Sequence, residues 1–423
     1  MIEIATIRAN ADLVKAGLSK KNFKEIELID RLLLVDEQRR IAQLAIELIR
    51  SQESQMAKKI GELLRQGNKE EAEHKKAQVA VLKEESVSQN EQATSLEEEQ
   101  KNILLRLPNL PHSTVPAGKS PEENEVVKQV GNIPTLPDTA LPHWDIARKY
   151  DLFDLELGVK LTGAGFPVYK GKGAKLQRAL ISFFLDHAIA AGYNEVIPPL
   201  MVNEASAYGT GQLPDKEGQM YHATVDNFYL IPTAEVPVTN IFRDEIIEEK
   251  DLPKMLTAYT PCFRREAGSY GKDVRGLNRL HQFDKIEIVQ IQHPDRSYAT
   301  LDTMVTHVET LLQKLELPYR ILRLCGGDMS FASALTYDFE VYSAAQKRWL
   351  EVSSVSNFET FQTNRMKVRF RDENKKVRLA HSLNGSALAL PRIVASLLEN
   401  HQTAEGIRIP AALAAYAGFD IIA

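Results

Sequence analysis

Apolar residues recur every seven positions through the first part of the chain, and a second row follows four residues behind the first. The first row is continuous and consists of Leu28, Val35, Ala42, Ile49, Met56 and Leu63. The second row has two polar interruptions and consists of Leu32, Arg39, Ile46, Glu53 and Ile60. This spacing predicts a long helix with an apolar seam that packs against another helix.

A break at Gly67-Asn68 interrupts the heptads as a turn would, and a weaker seam follows. Its members are Ala72, Val79, Leu82, Ser86, Ala93, Leu96 and Ile103. Arms of equal length at residues 26–66 and 69–105 therefore predict an antiparallel helical hairpin. The alternative is one strand of an ordinary dimeric coiled coil, but the turn midway between the arms favours the hairpin.

Seven prolines fall within residues 108–142, whereas none precedes Pro108. Because proline is excluded from helix interiors and central strands, this segment predicts a stiff connector. We therefore expect three parts, namely a helical hairpin at residues 1–107, a connector at 108–142 and a second domain at 143–423.

From Trp144 onward, β-branched and aromatic runs alternate with helical patterns. The predicted strands are Glu195–Ile197, Phe228–Ile231, Leu256–Phe263, Asp284–Gln292, Tyr319–Leu324, Thr336–Tyr342 and Trp349–Ser356. The predicted helices are Lys175–Ala191, Val236–Ile241, Asp295–Leu315 and Arg392–Asn400. Many joins are short enough for hairpins, so we expect an α+β protein whose coiled-coil hairpin precedes a mostly antiparallel β-sheet flanked by helices.

Composition supports this division and limits the function. Of the 30 Phe, Tyr and Trp residues, only Phe23 precedes Trp144, so the first part lacks the aromatic residues of a compact core. The formal net charge of −5 excludes nucleic-acid binding by bulk positive charge. A local basic patch near the predicted turn keeps such binding open, and it consists of Lys58, Lys59, Arg65, Lys69, Lys75 and Lys76.

The chain carries no pattern of export or of the commonest catalytic motifs. Two cysteines, no signal-peptide pattern and no apolar stretch of membrane-spanning length predict a cytoplasmic protein without membrane contact. Gly171-Lys172 is followed by Gly173, which does not complete a phosphate-binding loop. No HxxxH or HxH spacing is present, so we expect no structural zinc site.

The stretch FRREAGSYGKDVRGLNRLHQFDKIEIVQ, residues 263–290, predicts two strands joined by a polar, glycine-rich loop. Arg264, Arg265 and Glu266 end the first strand, and the loop adds the cations Lys272, Arg275 and Arg279. Strand-borne arginines with a flexible cationic loop suit a polyanion. The alternative is a surface hairpin whose charges are merely solvated.

The same stretch resembles motif 2 of class II aminoacyl-tRNA synthetases, in the form found in seryl-tRNA synthetases. Further blocks resemble that family in the same order: residues 192–199 match motif 1, 210–214 and 233–235 the blocks around the serine pocket, 351–357 the strand before motif 3, and 383–392 motif 3. The hairpin resembles the family's tRNA-binding arm. The resemblance covers essentially the whole chain and implies a class II catalytic domain.

The resemblance implies a serine–tRNA ligase that first makes seryl-adenylate from L-serine and ATP with Mg²⁺. It assigns catalysis to Arg264, Glu351 and Arg392. It assigns ATP binding to these three and to Arg265, Glu266, Arg279, Leu280, Phe283, Val352, Ser353 and Ser354. Magnesium, held through ATP, would contact Glu351 and Ser354. The serine pocket would comprise Arg264 with Thr233, Ala234, Glu235, Glu287, Asn384 and Ser386.

The resemblance further implies a homodimer of the zinc-free form that transfers serine to the 3′ end of tRNA(Ser). The tRNA for selenocysteine is a second candidate substrate if the organism has one. Lys272, Asp273 and Arg275 are candidates for steering the acceptor stem. The chain departs from the family pattern at Arg265, Tyr270 and Pro391, which puts only local loop contacts in doubt.

Two other functions compete with this one. A paralogue that charges a carrier protein would be expected to lack the tRNA-binding arm, which this chain keeps. A catalytically inactive coiled-coil scaffold would be expected to lose Arg264, Glu287 or Arg392, and all three are present. Activation of serine separates the scaffold from the enzymes, and charging of tRNA separates the two enzymes.

Overall fold

The structure, a computed structural model, describes residues 1–136, 139–215, 217–266 and 275–423. These form two compact units, one from residues 2–19 and 23–108 and the other from residue 1, residues 20–22 and residues 109–423. Residues 267–274, which include the predicted acceptor-stem contacts Lys272 and Asp273 and the departure at Tyr270, lie outside the described residues.

The first unit is helical, with α1 (Ile4–Ala9), α2 (Ala11–Lys20), α3 (Leu28–Arg65) and α4 (Lys69–Arg106). Helices α3 and α4 have 38 residues each and pack against one another, which confirms the predicted hairpin. Its seam buries Leu32, Val35, Ala42 and Ile46 of α3 and Ala72 and Ile103 of α4. One chain therefore supplies both helices of the coiled coil.

A buried carboxylate explains one of the polar interruptions in the heptad pattern. Asp36 is 1% exposed, accepts a hydrogen bond of 2.9 Å from Gln100 Nε2 and lies 3.3 Å from Arg8 Nε. The guanidinium of Arg39 approaches the same carboxylate to 3.6 Å. Arg39 interrupts the apolar row because it takes part in this ionic group inside the hairpin.

The second unit is built on eighteen strands in the described part of the chain: β1 (Glu125–Val130), β2 (Phe153–Asp154), β3 (Val168–Tyr169), β4 (Asn194–Glu195), β5 (Met201–Val202), β6 (His222–Ala223), β7 (Phe228–Leu230), β8 (Ile246–Glu248), β9 (Lys254–Phe263), β10 (Gln282–Gln292), β11 (Tyr319–Arg323), β12 (Leu335–Ser343), β13 (Arg348–Glu359), β14 (Arg369–Arg371), β15 (Val377–Leu379), β16 (His381–Ala389), β17 (Ile407–Arg408) and β18 (Ile421–Ile422). Its helices are α5 (His143–Tyr150), α6 (Leu155–Leu161), α7 (Gly171–Ala190), α8 (Glu204–Thr210), α9 (Glu235–Asn240), α10 (Ser297–Lys314), α11 (Thr360–Met366), α12 (Leu390–Asn400) and α13 (Ala411–Ala417).

The largest sheet has eight strands in the order β1-β11-β12-β13-β16-β10-β9-β4. All neighbours are antiparallel except β4 and β9, so the predicted α+β class with a mostly antiparallel sheet is confirmed. Strand β1 comes from the proline-rich segment and lies at the sheet edge, where its neighbouring prolines interrupt no ladder. Residues 109–142 thus belong to the second unit and contribute a strand to its main sheet.

Helices α7, α10 and α12 cover one face of this sheet and form the main hydrophobic core with it. Strand β10 shows how the two faces differ. Ile286 and Ile288 lie in the core, whereas Lys285 and Glu287, which alternate with them, lie on the opposite face. Helices α9 and α11 pack on that second face around a smaller apolar cluster, and the polar residues of the sheet share the face with this cluster.

Within the described residues, no helix is both long and apolar enough to cross a membrane.

Candidate active site

The centre of the polar face is a buried ionic group on β10. Glu287 is 2% exposed, and its Oε2 lies 2.6 Å from Lys285 Nζ and accepts a 3.1 Å hydrogen bond from the Thr233 hydroxyl. Lys285 Nζ also donates to Thr233 Oγ1 at 2.9 Å. Each charge is therefore paired, which is the condition for keeping ions away from water in a protein interior.

A second carboxylate faces this group from the start of helix α9. Glu235 accepts a 2.6 Å hydrogen bond from Gln362 Nε2, and Gln362 Oε1 in turn accepts one of 2.7 Å from the Ser382 hydroxyl. The pKa of Glu235 is raised to about 7, mainly because the side chain is buried and secondly because the charge of Glu287 is nearby. Two buried carboxylates so close to one another are suited to binding an ammonium ion.

The neighbouring strand β16 adds neutral hydrogen-bonding groups. Ser386 lies opposite Glu287 in the β10–β16 ladder, and Asn384 lies opposite Val289. The amide of Asn384 is near enough to Glu235 to lower its pKa. Its buried Nδ2 nevertheless has no hydrogen-bond partner of ordinary geometry in the described part of the chain. A buried donor without a partner marks a place for a ligand atom.

Arginine and aromatic side chains continue the site beyond the end of β9. The guanidinium carbon of Arg264 lies 5.3 Å from the centroid of the Phe283 ring, and its Nε donates to Pro232 O at 3.3 Å. Glu266 pairs with Arg279 at 2.9 Å across the base of the loop. Arg265 is exposed and is held by its backbone N–H, which donates to Gln219 O at 2.9 Å.

The last arginine comes from the first turn of α12. Arg392 donates from Nη1 to Glu351 O at 2.6 Å and from Nε to Asn278 O at 3.0 Å. It thereby joins strand β13 to the segment that carries Arg279. Helix α12 begins with Leu390 and Pro391, and proline fits there because the first turn needs no backbone donor.

Strand β13 supplies the site with side chains at some positions and with main chain alone at others. Ser353 donates to Ser386 O at 2.5 Å, and Glu351 is 53% exposed on the polar face. The side chain of Val352 is in the hydrophobic core, so only its main chain can contact a ligand. Leu280, also predicted as an ATP residue, is likewise a core side chain whose main chain alone is available.

An acidic group lies beside Ser354, which pairs with Asp338 in the β12–β13 ladder. Burial raises the pKa of Asp338 well above its usual range, and the charge of Glu351 and weaker contributions from Asp328 and Glu340 act in the same direction. The Ser354 hydroxyl opposes this shift, and Asp338 Oδ1 is buried without a partner among the described residues. In the part of the chain that the structure describes, no three or more His, Cys, Asp or Glu side chains are grouped so that they could hold a metal ion.

Side-chain contacts bring several predicted site residues together in pairs, namely Thr233 with Glu287, Arg264 with Phe283, Glu266 with Arg279, and Arg392 with Glu351. Val352 and Leu280 could take part only through the main chain. Sequence reasoning missed Lys285, Asp338 and Gln362. Lys285 had a signal, because it stands two residues before Glu287 in a strand and must share its face.

Comparisons with known proteins identify one family. A model of the tRNA synthetase class II core domain (G, H, P, S and T) matches residues 220–401, and a model of the seryl-tRNA synthetase N-terminal domain matches residues 1–111. The chain is 51% identical to the serine–tRNA ligase of Salinibacter ruber, over 99% of this chain and 98% of that protein. It is 46% identical to the serine–tRNA ligase of Neisseria meningitidis serogroup C with the same coverage.

Solved structures give the same result. Seryl-tRNA synthetase from Pyrococcus horikoshii, complexed with ATP, superposes with a TM-score of 0.94 at 32% identity, covering 100% of this chain and 99% of that one. The cytoplasmic serine–tRNA ligase of Naegleria fowleri, in complex with AMP, gives 0.87 at 27% identity, with 98% and 95% covered.

The raised pKa of Glu235 predicts a pH-dependent stability. Because the folded chain keeps this proton up to about pH 7 and the unfolded chain loses it near 4.5, the free energy of unfolding should fall between these values. The fall should be at most ~3 kcal/mol. Glu235→Gln should lack this contribution and gain stability relative to the parent as pH rises. Urea unfolding of both proteins at pH 5 and pH 7 measures the difference, and equal pH slopes would contradict it.

Proposed function

The chain belongs to the seryl-tRNA synthetase family of class II, whose members ligate serine to tRNA, and we propose that the pocket around Glu287 binds the serine. This proposal rests on two buried carboxylates, Glu235 and Glu287, and on the nearby buried amide donor of Asn384, which has no partner among the described residues. Serine brings one ammonium, one carboxylate and one hydroxyl. The pocket offers a complementary group for each.

The ammonium of serine would bind between Glu235 and Glu287, with the Thr233-Ala234 main chain alongside. Its carboxylate would meet the guanidinium of Arg264, whose planar fork matches a carboxylate. Asn384, Ser386 and the second oxygen of Glu287 would surround the hydroxyl. Alanine, which lacks the hydroxyl, would leave these buried groups unpaired, so we expect it to be rejected by roughly 10⁴-fold.

ATP would bind along the end of β9 and the start of β10. Phe283 offers a half-buried ring for the adenine, and Glu266 offers a carboxylate to its amino group. Arg392 would cover the other face of the adenine and reach the γ-phosphate. Arg265, Arg279 and the main chain at Leu280 would follow the remaining nucleotide. Arg264 would contact the α-phosphate as well as the serine carboxylate, so that two anions meet at a fixed cation.

Magnesium would enter with ATP. Glu351 and Ser354 would hold it. Beside them, the buried Oδ1 of Asp338 has no partner within the described ranges and fits a dication that prefers oxygen ligands. The ion supplies charge neutralisation at the phosphates. The main chain of Val352 and the main chain and hydroxyls of Ser353 and Ser354 would face the same phosphates. No zinc ion would take part in the proposed reaction.

Transfer of serine to tRNA(Ser), and to selenocysteine tRNA where one exists, would use the hairpin as its docking arm. Lys58, Lys59, Arg65 and Lys69 are exposed near the turn and form no ion pair among the described residues. Residues 1–107 would thus form the tRNA-binding part, 108–142 the connector and 143–423 the catalytic part. Double-stranded RNA is read mainly by shape and backbone, which suits such a patch.

We also propose a homodimer formed through the motif 1 segment, in the cytoplasm. Strand β4 is the edge of the main sheet, and Ile197, which follows it, is 90% exposed. An exposed apolar residue beside an open sheet edge suits contact with a second copy of the chain. The two buried cysteines, both free, suit a reducing compartment.

Arg264→Ala should reduce serine-dependent ATP–pyrophosphate exchange about a thousandfold, because the variant loses the cation that joins the two reacting anions. Exchange is measured without tRNA, so only activation is tested. Arg178→Ala removes an exposed arginine from α7 and serves as the control with unchanged exchange. Near-normal exchange by Arg264→Ala would contradict the assignment of this site.

Deletion of residues 28–104 should abolish charging of tRNA(Ser) and leave serine-dependent exchange within about twofold, because only the transfer step needs bound tRNA and the arm would bind it. Both reactions are measured on the same preparation. Retained charging would exclude the arm as the tRNA-binding part. Loss of charging together with loss of exchange would instead show that the arm is needed for activation.

A further inference from the structure

The segment that returns from the motif 2 loop, residues 275–280, is fixed by a histidine that the site described above does not include. The N–H of Leu277 donates to His143 Nε2 at 2.9 Å. His143 Nδ1 lies 2.7 Å from Glu399 Oε1, and both side chains are fully buried. Since Nε2 can accept only when it carries no proton, the ring hydrogen is assigned to Nδ1, which donates it to Glu399.

A second chain of hydrogen bonds links Glu399 to the same segment. Its Oε1 accepts from the backbone N–H of His143 at 3.0 Å and from Gln346 Nε2 at 3.2 Å. Gln346 Oε1 then accepts from Asn278 Nδ2 at 3.0 Å. One buried carboxylate therefore holds two successive residues of the segment, Leu277 through His143 and Asn278 through Gln346.

Close packing around the histidine leaves the segment little freedom. Gly276 has φ +68°, and a side chain there would come within 2.1 Å of His143 Nε2. The guanidinium carbon of Arg275 lies 4.4 Å from the centroid of the Trp144 ring. Two consecutive residues of α5, His143 and Trp144, thus fit against two consecutive residues of the loop.

These contacts bear directly on the groups assigned to ATP. Arg279 follows Asn278, and Arg392 donates to the carbonyl of Asn278 at 3.0 Å. Arg392 and Glu399 are seven residues apart on α12, and are therefore about two turns apart along one helix. The network shares no residue with the group around Glu235, Lys285 and Glu287.

We propose that His143, supported by Glu399, is a positioning residue for ATP that holds residues 275–280 in the conformation that binds the nucleotide. The proposal rests on the assignment of ATP to this end of the site. A purely structural role for His143 would lower stability and affect both substrates alike. A positioning role weakens ATP selectively.

Two variants separate the two hydrogen bonds of His143. His143→Asn keeps a donor near Nδ1 for Glu399 but is too short to accept from Leu277, whereas His143→Gln can place its carbonyl oxygen near the position of Nε2. In serine-dependent ATP–pyrophosphate exchange, His143→Asn should raise the KM for ATP about tenfold and leave the KM for serine within about twofold. His143→Gln should recover most of the loss.

Gln346→Ala provides an independent measurement on a partly exposed side chain, and it decides the question if His143→Asn does not fold. It removes the connection between Glu399 and Asn278 and should raise the KM for ATP about threefold. An unchanged KM for ATP in a folded His143→Asn or, failing that, in Gln346→Ala would overturn the proposal. So would an equal rise in the KM for both substrates. Absence of exchange in the parent protein would instead contradict the proposed function.

Discussion

The register of strand β10 between β9 and β16 is the constraint on which the site depends. Glu287 pairs with Ala258 on one side and Ser386 on the other. This pairing points Lys285 and Glu287 away from helices α7, α10 and α12. A shift of one residue would drive both charges into the core and bring Ile286 and Ile288 to the pocket. The apolar core thus fixes which face carries the polar site, because burying the two isoleucines excludes every register shifted by an odd number of residues.

Charge balance within the pocket follows from that register. Lys285 neutralises Glu287, whereas Glu235 has no cation of its own within salt-bridge distance in the described residues and responds with a raised pKa. An arriving ammonium would supply the missing charge and lower that pKa. Under the proposed binding of serine, this unneutralised carboxylate would favour an amino acid over small polar molecules that carry no ammonium group. The arginines lie beyond the carboxylates, where the opposite charge is needed.

The sequence predicted the long elements well and the site only in part. The heptads located α3 and α4 to within two residues, because a periodic seam over several turns has few alternatives. Strand β16 was not among the predicted strands, since HSLNGSALA has no β-branched or aromatic residue and forms a strand only because both neighbours pair with it. Asp338 and the pair of His143 and Glu399 escaped notice because their partners are distant in sequence.

A crystal structure of the chain with a non-hydrolysable seryl-adenylate analogue tests the central claim most directly. The account predicts that the ammonium of the analogue contacts Glu235 and Glu287, that its adenine lies on the Phe283 ring, and that Arg264 contacts the linkage between the two halves. An analogue bound on another surface, or bound here with its ammonium in contact with neither carboxylate, would contradict the account.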